Sequence, residues 1–515
     1  MFFDKTFCYR SGTSKRTATR SSGMKFCPSR NNSIRSSSTS STSSSSSSSS
    51  SWLRLRNEVQ SQNGHLNEER RRLSVSLECT GRDDAYLELS STARRLKPSS
   101  TVAMTDLATE MKQGGMDVIS LSVGEPDFNT PERIAGAGRK AIEEGFTKYS
   151  PNAGLSQLRE AIARKLQREN GIEGLSAANV VVTNGAKQAI AETVLATCSP
   201  GDEVIVPSPY WVSYPEIARL AGAEPVIVET NLEENFLLTA EKLEACLTPK
   251  SRVLILCSPS NPTGSVYSRK QMEELARVAV KHPRLLVISD EIYEHIYYET
   301  GEEGADSGSD AFPASFASCG VEGALERSIT INGFSKSFAM TGWRVGYLAA
   351  PESIAKAAAK VQSQFTSGAS SIAQFAAAEA LAICEEEPSS VRGGRDVQDM
   401  VEEFRKRRDY ACERFEKIGG IQFPYSETFG AERCKPSGAF YLFPDVSSWI
   451  ADTKSESSDE LCMRILKEAG VALVPGSAFG KDSCLRMSYA TSMENLEKAF
   501  DKIENWLKTM KINYK

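Results

Sequence analysis

Apolar residues recur at Leu155, Leu158, Ile162 and Leu166 with polar residues between them. Steps of three and four place them on one face, so the spacing predicts a helix over 153–170. The pattern then changes. Val180-Val181-Val182 is a short, unbroken apolar run, followed by the turn-prone Thr183-Asn184-Gly185 and a second helical stretch. Further apolar runs lie at 203–206, closed by Pro207, at 252–257, closed by Ser258-Pro259, and at 285–289. Helical spacing returns over 270–281, 354–361 and 372–382. Short apolar strands alternating with helices predict βαβ units, hence a mostly parallel sheet covered by helices on both faces. Ligands of such sheets bind at the carboxyl ends of the strands.

The rest of the chain divides around that body. The first 51 residues hold 20 Ser, unbroken over 43–51, with eight Lys or Arg and a single acid, Asp4. This is the composition of an organelle transit peptide, and the weight of Ser favours a plastid, with a mitochondrion as the alternative. Residues 1–85 are expected to be disordered transit peptide and linker, 86–133 an N-terminal arm contributing to a small domain, 134–385 the large domain, and 386–515 the small C-terminal domain. Residues 300–311, polar and Gly-rich, are read as an exposed loop.

Charge and composition narrow the function. The net charge of -5 conceals a basic leader and a body with 53 basic and 65 acidic residues. Such a body does not attract nucleic acid or an anionic membrane as a whole, so local cations must draw any small anionic substrate. The most apolar stretch, 372–384, is short and interrupted by Gln374 and Glu379, so a soluble protein is expected. The twelve Cys form no C-x-x-C pair and are read as reduced thiols. Three His (His65, His282, His295) argue against a His-based zinc site or catalytic triad.

The densest chemistry is Gly333-Phe334-Ser335-Lys336, followed by Thr341-Gly342-Trp343-Arg344-Val345-Gly346. A Lys among small residues has room beside it for a cofactor, and a lowered pKa would free its amine to form an imine. Arg344 offers planar donors for a phosphate dianion. The bland alternative is a surface Lys and Arg on a Gly-rich loop. The segment resembles the signature of fold-type I, class I aminotransferases. By that resemblance Lys336 carries pyridoxal phosphate in imine linkage and Arg344 binds its phosphate.

Other segments fall into place around this one. Asp290, in Ser289-Asp290-Glu291-Ile292-Tyr293, follows a predicted strand, where an Asp often caps a helix. A carboxylate there would equally keep a pyridine nitrogen protonated, and Tyr293 would donate to the cofactor's phenolic oxygen. Asn261, in Ser260-Asn261-Pro262-Thr263-Gly264, reads alone as turn chemistry; the resemblance assigns it to that oxygen and to the substrate carboxylate. Gly185, Ala186 and Lys187 open a helix after a strand, a place for phosphate. The resemblance further implies that Trp211 stacks on the pyridine ring and that Tyr149 reaches the phosphate of a partner subunit. It also implies that Gly124 touches substrate through its backbone and that Arg486 grips the α-carboxylate.

The resemblance runs from about residue 96 to the end and is nearest to subgroup Ib aspartate aminotransferases and plastid prephenate aminotransferases. It implies a large α/β/α domain and a smaller α+β domain, a homodimer with shared active sites, and exchange of an amino group between small amino and keto acids. In that exchange the freed Lys336 amine takes and returns the α-proton. Lys187 would bind the distal carboxylate of dicarboxylic substrates, and Thr105 stands where prephenate-using members carry a Thr. Competing readings are a C-S lyase or aminocyclopropane-carboxylate-type synthase on the same fold, and a non-enzymatic regulator of that fold. The regulator would need a winged-helix module, and nothing in the Ser-rich leader resembles one.

Overall fold

The computed structural model describes residues 88–298, 313–388, 391–424, 435–512 and 514. The expected leader and the 300–311 loop lie outside the described residues. Contacts divide the chain into two units, Met1–Glu88 and Leu89–Lys515.

Twelve strands are present among the described residues. They are β1 Ile119–Ser120, β2 Val180–Thr183, β3 Glu203–Ser208, β4 Glu224–Glu229, β5 Ser251–Cys257 and β6 Leu286–Asp290, then β7 Ser328–Gly333, β8 Gly346–Ala349, β9 Tyr441–Leu442, β10 Val471–Ala472, β11 Val474–Pro475 and β12 Leu485–Ser488. Seven of them form one sheet in the order β2-β8-β7-β6-β5-β3-β4. Only β8 runs against its neighbours, β2 and β7; the remaining pairs are parallel.

The side-chain period of two sorts each central strand onto two cores. Val253 and Ile255 of β5 pack with Ala189, Ile190, Val194 and Ala358 on one face. Leu254 and Leu256 pack with Leu243, Met272 and Leu275 on the other. Each such fully buried aliphatic side chain contributes roughly 1.5–3 kcal/mol. The apolar runs of the sequence are therefore continuous because both faces are covered.

Two boundaries differ from the expectation. The helix expected over 153–170 begins at Ser156, not 153. Gly154 takes a positive φ of 99°, and a Cβ there would lie 2.6 Å from Val182 side-chain atoms, so the chain must turn before it coils. The third strand does not stop at Pro207. Its ladder with β5 ends at Ile205, but its ladder with β4 runs through Pro207 to Ser208. Proline removes one donor and is tolerated where pairing persists on one side only.

The remaining strands build two smaller sheets: β1 pairs with β10, and β11, β12 and β9 form an antiparallel trio. No helix among the described residues is long and apolar enough to cross a membrane. The eight described cysteines are free thiols.

Candidate active site

Strand ends of the large sheet gather the chemistry on one edge. Strand β2 ends just before Gly185, β3 before Trp211, β5 before Asn261 and β7 before Lys336, and β6 ends on Asp290 itself. The antiparallel strand β8 starts at this same edge, because Gly346 pairs with both Thr183 and Gly333, and that brings Arg344 alongside. A cavity of about 320 Å³ opens there, walled by Lys336, Asp290, Tyr293, Asn261, Trp211, Lys187, Ala186, Arg344, Gly124 and Arg486.

Lys336 lies at the centre, its ammonium nitrogen donating to the Gly124 carbonyl. Burial, with help from Arg486 and Arg344 and against the pull of Glu125, brings its pKa down to about 8. That is the shift an imine-forming amine requires. Asp290 sits at the end of a buried strand, and burial raises its carboxyl to about 6 although two donors partly offset it. These are Tyr214 Oη at 2.7 Å and the Ile292 amide at 3.3 Å. No helix follows Asp290, so it caps none. Tyr293 shares a 2.8 Å hydrogen bond with Tyr441, and burial keeps its phenol neutral.

One end of the cavity suits a phosphate. Gly185, at φ 84°, precedes the helix Ala186–Thr197, and a Cβ on it would meet Arg344 Nη2 at 2.6 Å. Only glycine lets the guanidinium approach the helix N-terminus so closely. Arg344 itself adopts a left-handed φ of 53° and is steadied by the carbonyls of Thr341 and Asn184. Lys187 stands 5.0 Å from the Trp211 ring centroid, and burial and Arg344 lower its pKa. Two cations and a helix N-terminus make an anion site.

The other end suits a carboxylate. Arg486, on β12, is only 2% exposed. It donates to Asn261 Oδ1 at 3.0 Å and to the Ser122 carbonyl at 2.6 Å, both neutral oxygens, and its Nε has no partner among the described residues. A buried guanidinium with no acid beside it among the described residues is suited to an incoming anion. Gly124 is required at the same end, since a Cβ there would lie 2.5 Å from Tyr441 Oη. These donor sets fit pyridoxal phosphate together with an amino acid.

Three expected residues are not part of the wall: Gly185, which lies just behind it against Arg344, Thr105 and Tyr149. Thr105 bonds the Thr101 carbonyl at 2.9 Å and Ser122 Oγ at 3.0 Å. It is Thr101, one turn earlier, that lines the cavity. Tyr149 is 96% exposed and outside the cavity. Sequence reasoning missed Tyr214, Tyr441 and Glu125. Tyr214 lies three residues after Trp211, but its partner Asp290 is 76 positions away, and Tyr441 is hidden in the core-like run Phe440-Tyr441-Leu442-Phe443.

Comparison with known proteins agrees with this geometry. The family described as aminotransferase class I and II matches residues 116–503. A bifunctional aspartate aminotransferase and glutamate/aspartate-prephenate aminotransferase from Petunia hybrida is 50% identical over 442 residues, 85% of this chain and 86% of that protein. An aspartate aminotransferase from Pinus pinaster is also 50% identical, over 82% of this chain and 81% of its own. Among solved structures, the aspartate aminotransferase from Thermus thermophilus with maleate superposes with a TM-score of 0.72 at 42% identity, covering 82% of this chain and all of that one.

Proposed function

The chain belongs to the class I and II aminotransferases, and from that premise we propose that it uses pyridoxal phosphate to move an amino group between glutamate or aspartate and the keto acids oxaloacetate, 2-oxoglutarate and prephenate. The observation that carries this reading is the pairing of a buried, pKa-lowered Lys336 with two cations, Arg486 and Lys187, in one cavity. Arg486 answers the α-carboxylate, and Lys187, between the phosphate site and the substrate space, can also face a second carboxylate, which favours dicarboxylic substrates over a cysteine conjugate with one.

In this reading Lys187, Arg344 and the amides after Gly185 hold the cofactor phosphate, with Lys187 also facing the distal carboxylate of the substrate. Asp290 holds the ring nitrogen, Asn261 and Tyr293 the phenolic oxygen, and Trp211 the ring face. The bound cofactor supplies an electron sink for the charge left when the α-proton departs. Arg486 fixes the α-carboxylate, so the α-carbon faces Lys336. The Lys336 amine, neutral in a useful fraction near pH 8, takes that proton at Nζ and later returns it. Asn261 bonds Arg486, which couples substrate grip to cofactor orientation. Thr105 acts one step back, through Ser122, whose carbonyl receives Arg486.

The proposal extends to a homodimer in which the exposed Tyr149 reaches the partner's phosphate site, and to a plastid location given by residues 1–85. It keeps the arm 86–133 with 386–515 as a small domain beside 134–385; pairing of β1 with β10 supports that grouping. Purified protein supplied with glutamate and either oxaloacetate or prephenate tests the substrate reading. Turnover of both supports it. Release of pyruvate and ammonia from cysteine conjugates, without transamination, would favour the lyase.

A further inference from the structure

The residues after β6 alternate in what they face. Asp290, Ile292 and Tyr293 line the cavity. Glu291, Glu294 and His295 turn the other way, into a buried polar cluster with Lys165, Glu169 and Asn170 at the end of the helix Ser156–Asn170. Glu294 is its hub. One carboxylate oxygen receives the Lys165 ammonium and, at 2.7 Å, the Asn332 side-chain amide; the other receives Asn170 at 2.7 Å. Glu169 bonds His295 Nε2 at 2.8 Å, and Glu291 receives Ser289 at 2.8 Å and Ser315 at 2.6 Å. Arg168, which donates to Glu169 at 2.6 Å, Arg392, Tyr347 and Cys384 are the further charged and titratable groups around it.

Asn332 gives the cluster its consequence. It lies on β7, four residues before Lys336, and its Oδ1 also receives the Gly333 amide at 2.7 Å. One side chain thus joins the segment that carries Asp290 and Tyr293 to the strand that delivers Lys336. We propose that Glu294 and Asn332 are positioning residues, whose buried bridge steadies the end of β7, already paired with β6 through Ile331 and Asp290, and so holds Lys336 in place against Asp290 and Tyr293. The proposal rests on the reading of Lys336 as the cofactor lysine.

Two bland accounts are weaker. The oxygen and nitrogen atoms of Glu169, Glu294 and His295 lie within 4.8 Å of one another, as metal ligands would, but the Lys165 ammonium already sits against Glu294 and 3.8 Å from Glu169. A cluster kept for stability alone is poorly explained as well. Buried ion pairs contribute little net stability compared with apolar side chains of the same volume, whereas directional bonds fix geometry.

The test uses holoenzyme of wild type and of Asn332→Ala, followed by the pH dependence of cofactor absorbance, by steady-state kinetics and by thermal melting. Expected for the variant are an absorbance transition displaced by about half a pH unit or more and kcat lowered about tenfold with KM changed less than about threefold. A lower melting temperature with the transition and kcat of wild type would overturn the proposal. Should Asn332→Ala fail to fold, Glu294→Asp keeps the charge beside Lys165 but shortens its reach to Asn332, and the same displacement is expected. A wild-type holoenzyme without any cofactor absorbance would instead overturn the functional reading beneath it.

Discussion

Replacing Tyr214 by Phe removes one oxygen atom and leaves the ring in place. That oxygen is the closer of the two donors on Asp290, at 2.7 Å against 3.3 Å for the Ile292 amide. Both side chains are buried, so water does not substitute for the lost bond. Hydrogen bonds to charged groups are worth about 1.5–3 kcal/mol, and at about 1.4 kcal/mol per factor of ten this is roughly 10- to 150-fold in any equilibrium that needs Asp290 ionised. Pairing with a protonated pyridine nitrogen is such an equilibrium. The dissociation constant of pyridoxal phosphate, followed by fluorescence on apoenzyme, is therefore expected to rise at least about tenfold in Tyr214→Phe. The acid limb of the pH–rate profile should move upward, because the carboxyl becomes harder to ionise. Unchanged cofactor affinity and an unchanged acid limb would refute the idea that Tyr214 tunes Asp290.

Lys336→Ala should abolish turnover and the absorbance of the lysine-bound cofactor, while melting of the variant stays close to wild type; normal transamination by it would remove Lys336 from the mechanism. Gly185→Ala should weaken cofactor binding measured by equilibrium dialysis, because the new Cβ lies 2.6 Å from Arg344 Nη2. Stability of the cofactor-free protein should carry the mark of Asp290. Its pKa is raised from 3.8 to about 6, so the stability linked to its protonated form is present below pH 4 and lost as pH rises through 6. Relative to Asp290→Asn, wild type should lose up to about 3 kcal/mol across that window in urea unfolding, and a constant difference would contradict the assignment. Leu256→Ala, on the fully packed face of β5, should cost about 2–5 kcal/mol without altering KM.

Much of this was legible in the sequence, for physical reasons that differ from residue to residue. Strands such as 252–257 announce themselves because a sheet buried on both faces needs unbroken apolar runs. The site residues Asp290, Asn261 and Lys336 could be located because strand ends in such a sheet converge. Pro207 misled because the sequence does not say that pairing persists on one side only. The small sheets were invisible: β9, β10 and β11 have two residues each, too short to show a period, and Ile119 pairs with Val471 across most of the chain. Thr105 was chosen by its place in a motif, whereas its hydroxyl meets Ser122 and Thr101 lines the cavity, a difference of one turn along the same helix face.

The central claim is that Lys336 carries the cofactor. Reduction of the holoenzyme with borohydride, followed by mass mapping of its peptides, reads this directly. The account predicts a phosphopyridoxyl mass on the peptide containing Lys336 and on no other. A label on Lys187 or elsewhere, or none at all, would contradict it.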